Sequence, residues 1–174
     1  AARSALVPGA GWLSEETADD LARLSAKRVW VVDPIDGTRD FLRHRPGWAV
    51  SVALVENGQP VIGVLDAPVR GEHWLAVKDQ GATLNGKPIH VSATTDITAT
   101  SFEMGWSNRR PLSRYIGALN ALYEAGSNVR RGACGALGLA YVADGRSDGY
   151  AELHMNSWDC LAGLLLVREA GGVT

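Results

Sequence analysis

The chain has 174 residues, 46% hydrophobic and 21% charged, with a net charge of −2. That is an ordinary globular composition, long enough to bury a real core. It carries no basic excess and no long basic run, so neither nucleic acid nor an anionic membrane surface is an expected partner.

No apolar run approaches the roughly 18 residues of a membrane span. The opening residues 1–7 are too short an apolar stretch for a signal peptide. Cys134 and Cys160 match no CxxC or zinc spacing, which predicts free thiols in a reducing compartment. Cytoplasmic residence is the expectation.

In chain order, residues 1–6 read as the tail of a helix stopped by Pro8-Gly9. Residues 29–32 are a short β-prone run, read as a buried strand. Residues 48–55 and 61–65 read as further strands, joined by the hairpin signal Asn57-Gly58. Residues 73–77 predict another strand, closed by a turn at Asn85-Gly86, and residues 98–104 one more. Helical patterning follows. Residues 111–124 carry an apolar stripe through Leu112, Ile116, Leu119 and Tyr123, with Pro111 suited to a first helical position. Residues 136–143 read as a short buried helix, 148–153 as a strand, and 157–170 as a helix capped by Ser157 and ended by Gly171-Gly172. Strands followed by alternating strands and helices predict a layered α/β or α+β domain.

The sharpest chemical feature is Asp33-Pro34-Ile35-Asp36-Gly37-Thr38, directly after the first predicted strand. Pro34 biases Asp33 to an extended backbone, and Gly37 permits a tight turn. Both carboxylates and the Ile35 carbonyl could then face one point beyond the strand end, an oxygen-only arrangement suited to Mg²⁺. A helix starting near Thr38 would aim free N–H groups at the same point and favour a phosphate. The bland alternative is an Asp-rich turn. Asp159, after Trp158, falls in the first turn of the last helix, where it could merely complement the helix dipole. Glu152, seven residues earlier, and the adjacent pair Glu15-Glu16 have surface acids as their alternative. Arg109-Arg110 and Arg130-Arg131 are either solvated charge or the anion-facing edge of a pocket. The four histidines make no metal cluster by spacing.

In order, Glu15-Glu16, the hexapeptide from Asp33 to Thr38 and Trp158-Asp159 with Gly171-Gly172 after its helix resemble the inositol monophosphatase family. Glu15 and Asp33 lie 18 residues apart, and Glu152 precedes Asp159 by seven, as in that family. The resemblance covers residues 11–174. It implies an αβαβα sandwich of the inositol monophosphatase and fructose-1,6-bisphosphatase type. It implies two or three Mg²⁺ ions held by Glu15, Asp33, the Ile35 carbonyl, Asp36 and Asp159, with Glu16 in an outer or weaker position. Asp33 would bridge metals. Glu15 and Thr38 would orient the attacking water, and the Gly37 and Thr38 N–H groups would hold the phosphate. Gly135 would line the sugar or inositol, and Glu152 would contact a substrate hydroxyl. Lithium sensitivity and a homodimer are implied as well.

The family begins with long helices before the Glu15 region and continues beyond Gly171-Gly172. The chain is therefore expected to be a single phosphatase domain, 1–174, without those helices and that segment, in approximate halves 1–105 and 106–174. At Cys134 and Gly138 the family more often has a hydroxyl or small residue and an Asp or Asn. The expected activity is hydrolysis of a small phosphorylated polyol, foremost inositol monophosphate. The rivals are a 3′(2′),5′-bisphosphate nucleotidase, with Arg130-Arg131 on a second phosphate, a histidinol-phosphate or fructose-1,6-bisphosphate phosphatase, and a silent, interaction-only paralogue.

Overall fold

A computed structural model describes residues 7–19 and 21–174. The helix tail expected over residues 1–6 lies outside the described residues. Seven strands form one sheet in sequence order: β1 (Gly11–Ser14), β2 (Arg28–Asp36), β3 (Ala49–Glu56), β4 (Gln59–Ala67), β5 (Glu72–Val77), β6 (Ala82–Leu84) and β7 (Lys87–Pro88). β1 runs parallel to β2 and every later pair is antiparallel. Asn57 and Gly58 make a two-residue turn between β3 and β4, both at positive φ, as a primed hairpin turn requires.

A second sheet has the order β10-β8-β9, all parallel, from β8 (Ser101–Met104), β9 (Asn128–Arg130) and β10 (Gly149–Ala151). The helices are α1 (Thr38–Phe41), α2 (Leu112–Glu124), α3 (Gly135–Ala143) and α4 (Ser157–Glu169). α3 and α4 pack on each other. α4 also lies on β2–β5, while α3 reaches β10. Both are apolar nearly all round, with buried residues such as Leu137, Ala140, Ala162 and Leu166, and a helix without a polar face must be covered on both sides. α2 buries none of its residues and packs on β9 from outside. The order of layers is therefore large sheet, α3 with α4, small sheet, α2. These are four layers of the expected α/β sandwich among the described residues.

The core centres on Leu65, Trp74, Ala162 and Leu166, all fully buried. A leucine buried in this way contributes about 1.5–3 kcal/mol. α4 comes close enough to β4 that a Cβ on Gly63 would lie 2.7 Å from the Ala162 carbonyl oxygen.

Several boundaries differ from the sequence expectation. β2 runs on through Asp36, so the Asp motif is part of the strand end. The turn at Asn85-Gly86 closes a separate small hairpin, β6–β7, rather than β5. Residues 97–99 form a 3₁₀ turn, because the Asp96 carboxylate accepts from the Thr98 N–H at 2.9 Å, and β8 starts only at Ser101. The cap of α4 is Asn156, not Ser157, and Pro111 precedes α2 as its cap. Cys134 and Cys160 are free thiols. No helix among the described residues is long and apolar enough to cross a membrane.

Candidate metal and phosphate site

The parallel pairing of β1 with β2 sets Ser14 opposite Val32, so the next residues, Glu15 and Asp33, emerge side by side. The Glu15 N–H donates to the Val32 carbonyl at 3.3 Å. β2 then bulges: Asp33 pairs with Ser51 and Asp36 with Ala49, leaving one extra residue in β2. In a regular strand, residues three apart point to opposite faces. The bulge breaks that alternation and re-aims the side chains. Gly37 follows at φ 91°, where a Cβ would press on the Gly47 carbonyl and on Cys134. α1 begins there but lasts a single turn.

Among the described residues each aspartate is held by one oxygen. Asp33 Oδ1 accepts from the Ile35 N–H at 2.9 Å. Asp36 Oδ2 accepts from the Ala136 N–H at 2.7 Å and from the Cys134 thiol at 3.1 Å, at the N-terminus of α3, where the helix dipole favours negative charge. Cys134 in turn caps α3 by accepting from the Leu137 N–H at 3.4 Å. Asp159 Oδ2 accepts from the Asn156 backbone N–H at 2.7 Å and from its side-chain amide at 3.2 Å, half of a capping box. The second oxygens (Oδ2 of Asp33, Oδ1 of Asp36 and of Asp159) accept no hydrogen bond among the described residues, and none is sealed from solvent. Glu152, just past β10, follows the same pattern, with Oε2 accepting from the Tyr150 hydroxyl at 2.6 Å.

Burial pushes the Asp33 carboxyl up to about 7, opposed by the Ile35 N–H and assisted by the charges of Asp36, Glu15 and Asp159. Burial likewise raises Asp36 to about 6, against the Ala136 and Cys134 hydrogen bonds, with Asp159 and Glu152 adding to the rise. Asp159 and Glu152 are also raised, first by burial. Like charges gathered in a partly dry site raise one another and would be relieved by a cation. Among the described residues no three acid, His or Cys side chains stand together as a ready-made metal site. The donor set nevertheless fits a hard cation: carboxylates only, each with one oxygen fixed and one open.

A cleft of about 240 Å³ opens over these groups, lined by Glu15, Asp36, Gly135, Glu152 and Asp159 among others. Five of the site residues expected from sequence therefore share one cavity. Asp33 lies beneath it, 1% exposed. Ile35, Gly37 and Thr38 flank the motif, and the Thr38 hydroxyl donates to the Ile35 carbonyl at 3.3 Å. Glu16 is exposed and does not line the cleft. A Cβ on Gly135 would lie 2.7 Å from Met155 Cε and 3.0 Å from the Tyr150 hydroxyl, so a glycine leaves that wall open. Sequence reasoning missed Asn156 and Tyr150 as the groups that hold Asp159 and Glu152. The Asn-x-x-Asp spacing at the start of α4 was the available signal for the first; nothing in the sequence marked the second.

The chain is 43% identical over 146 residues to the Nus factor SuhB of Xylella fastidiosa, covering 83% of this chain and 53% of that relative. It thus spans about half the length of the curated relatives it matches. Its structure is similar to the extragenic suppressor protein suhB of Bartonella henselae, at a TM-score of 0.89 and 36% identity, over 97% of this chain and 65% of that one. It is also similar to an inositol monophosphatase from Anabaena, at a TM-score of 0.90 and 34% identity, over 97% and 67%. The model of the inositol monophosphatase family matches residues 1–174, and the chain belongs to that family.

Proposed function

We propose that the protein is a Mg²⁺-dependent phosphomonoesterase acting on a small phosphorylated polyol, with inositol monophosphate as the leading substrate. The observation that carries this reading is the repeated pattern of one fixed and one open oxygen on Asp33, Asp36 and Asp159. Their open oxygens would hold the cations, with the Ile35 carbonyl beside them and Glu16 in a weaker outer position. Bound there, the ions would supply charge neutralisation for the phosphoryl group and acidify water. Glu15, exposed next to Asp33, would accept the proton of the attacking water. The Thr38 hydroxyl donates its hydrogen bond to the Ile35 carbonyl, which would leave its oxygen free to accept a hydrogen bond from that water and orient it. The N–H groups of Gly37 and Thr38, at the start of α1 with no intrahelical acceptor, would donate to the phosphoryl oxygens. Glu152, set by Tyr150, would accept from a substrate hydroxyl beside Gly135. A homodimer and lithium inhibition are part of the same proposal.

The second reading is a partner-binding role, favoured by the name Nus factor carried by the curated relatives. The two separate in an assay of inorganic phosphate release from a panel of small phosphate esters, with and without Mg²⁺. Mg²⁺-dependent release, with one ester clearly preferred, supports the phosphatase. No release of phosphate from any ester by the folded protein sinks it and leaves the binding role.

A further inference from the structure

The small sheet hides a carboxyl that the proposed hydrolysis does not use. Glu103, on the central strand β8, is 6% exposed, and its Oε2 is sealed from solvent with no hydrogen-bond partner among the described residues. Burial pushes this carboxyl above the ordinary glutamate range, opposed by the charge of Arg130. A buried acid left unpaired is costly, so its place in the fold calls for a reason.

Two neighbours supply one. Arg130 stands opposite Glu103 in the β8–β9 register, so both side chains leave the same face of the sheet. Yet no ion pair joins them among the described residues: the Arg130 guanidinium donates instead to the Arg146 carbonyl at 3.3 Å. The second neighbour is Gly132, which lines the cleft between Arg131 and Ala133. A Cβ on Gly132 would lie 2.5 Å from Glu103 Oε1, so the carboxyl stands directly behind the cleft wall. The other groups that face Glu103 bring it no positive charge. Tyr141 of α3 feels it, but burial keeps that phenol protonated. Tyr150, opposite on β10, gives its hydroxyl to Glu152.

We infer that Glu103 is a positioning residue for the cleft wall and that its proton sets the position. Neutral, it rests behind Gly132 and leaves Arg130 on the Arg146 carbonyl. Ionised, it gives its proton to solvent and draws the Arg130 guanidinium to itself by charge-assisted hydrogen bonds. The space beside Oε1 is already filled by the Gly132 backbone. The arriving guanidinium therefore displaces segment 131–133 toward the cleft and narrows it. The movement of the wall stands apart from the phosphatase reading; its effect on KM rests on that reading.

The test is a pH titration of the Mg²⁺-saturated protein by NMR, reading the Glu103 carboxyl carbon and the Gly132 amide in the wild type, Glu103→Gln and Arg130→Gln. The expected result is one midpoint shared by both signals, above the ordinary glutamate range. Glu103→Gln, which copies the shape of the neutral acid, should remove that midpoint from the Gly132 amide. Arg130→Gln should raise the Glu103 midpoint and leave Gly132 still. For a hydrolysed ester, KM should rise at least about fivefold across the same midpoint at unchanged kcat, and should not do so in Glu103→Gln. Three results overturn the inference: Glu103 stays neutral into alkaline pH, Gly132 is silent while Glu103 titrates, or the Gly132 midpoint survives Glu103→Gln. A flat KM beside a moving Gly132 overturns the positioning role. Failure to hydrolyse any ester sinks the phosphatase reading alone, and the NMR titrations still decide whether Glu103 moves the wall.

Discussion

The two sheets do different work. The large sheet is packed from within by α3 and α4 and delivers Glu15, Asp33 and Asp36 from adjacent strand ends, with Asp33 and its neighbours Ser14 and Ser51 buried. The small sheet has three short strands, and its outer helix α2 buries nothing and exposes Leu112, Ile116 and Tyr123. Its central strand even buries Glu103 with Oε2 unpartnered. From this side come Glu152, Trp106, Arg109 and Arg131, all lining the cleft. On the proposed reading, the groups that would have to hold position to a fraction of an ångström sit where packing is dense, and those that would select the alcohol sit where local stability is lower.

The sharpest break in this comparison comes on the large-sheet side. Asp36→Asn keeps an acceptor for Ala136 and Cys134 but removes the charge. Mg²⁺-dependent phosphate release should fall at least about 100-fold with little change in melting temperature. Asn156→Ala should weaken Mg²⁺ affinity about 10–100-fold in a calorimetric titration, with about 1 kcal/mol of lost stability from the cap. Packing separates the sides as well. Gly63→Ala pushes a methyl into the Ala162 backbone and should cost about 1–3 kcal/mol in a denaturant melt. Ile116→Ala on exposed α2 should stay within about 0.5 kcal/mol.

A pH series adds a subtler contrast. Asp33 rises from 3.8 to about 7 on folding without metal, so the folded form binds its proton more tightly than the unfolded one. Its contribution to stability is full below pH 3.8 and is lost as pH rises through about 7; Asp36 follows the same course up to about 6. The rise in melting temperature on adding Mg²⁺ should therefore be larger at pH 8 than at pH 5, and Asp33→Asn should flatten the difference. A modest effect belongs to the small-sheet side: Tyr150→Phe frees Glu152 Oε2 and should raise KM a few-fold while leaving kcat nearly unchanged.

Much of the acidic end of the cleft was legible because its signals are local. Asp33 through Thr38 is contiguous, and Asn57-Gly58 dictates its own turn. Glu15 was found by order along the chain, yet its place beside Asp33 depends on β1, whose four residues Gly-Trp-Leu-Ser carry no strand periodicity. The bulge at Asp33–Asp36 was equally hidden, since it is a property of the pairing with β3. β9, with only Asn128-Val129-Arg130, is a strand by virtue of its partner β8. Tyr150 on Glu152, and Arg109 and Arg131 across one cleft, are meetings of distant segments that no spacing encodes.

The central claim is that Asp33, Asp36 and Asp159 form one cation site. Its most direct test is titration of Mn²⁺ into the metal-free protein, followed by electron paramagnetic resonance, for the wild type and for Asp33→Asn, Asp36→Asn and Asp159→Asn. The account predicts saturable binding that each single substitution weakens at least about tenfold. Saturable binding untouched by all three substitutions would contradict it.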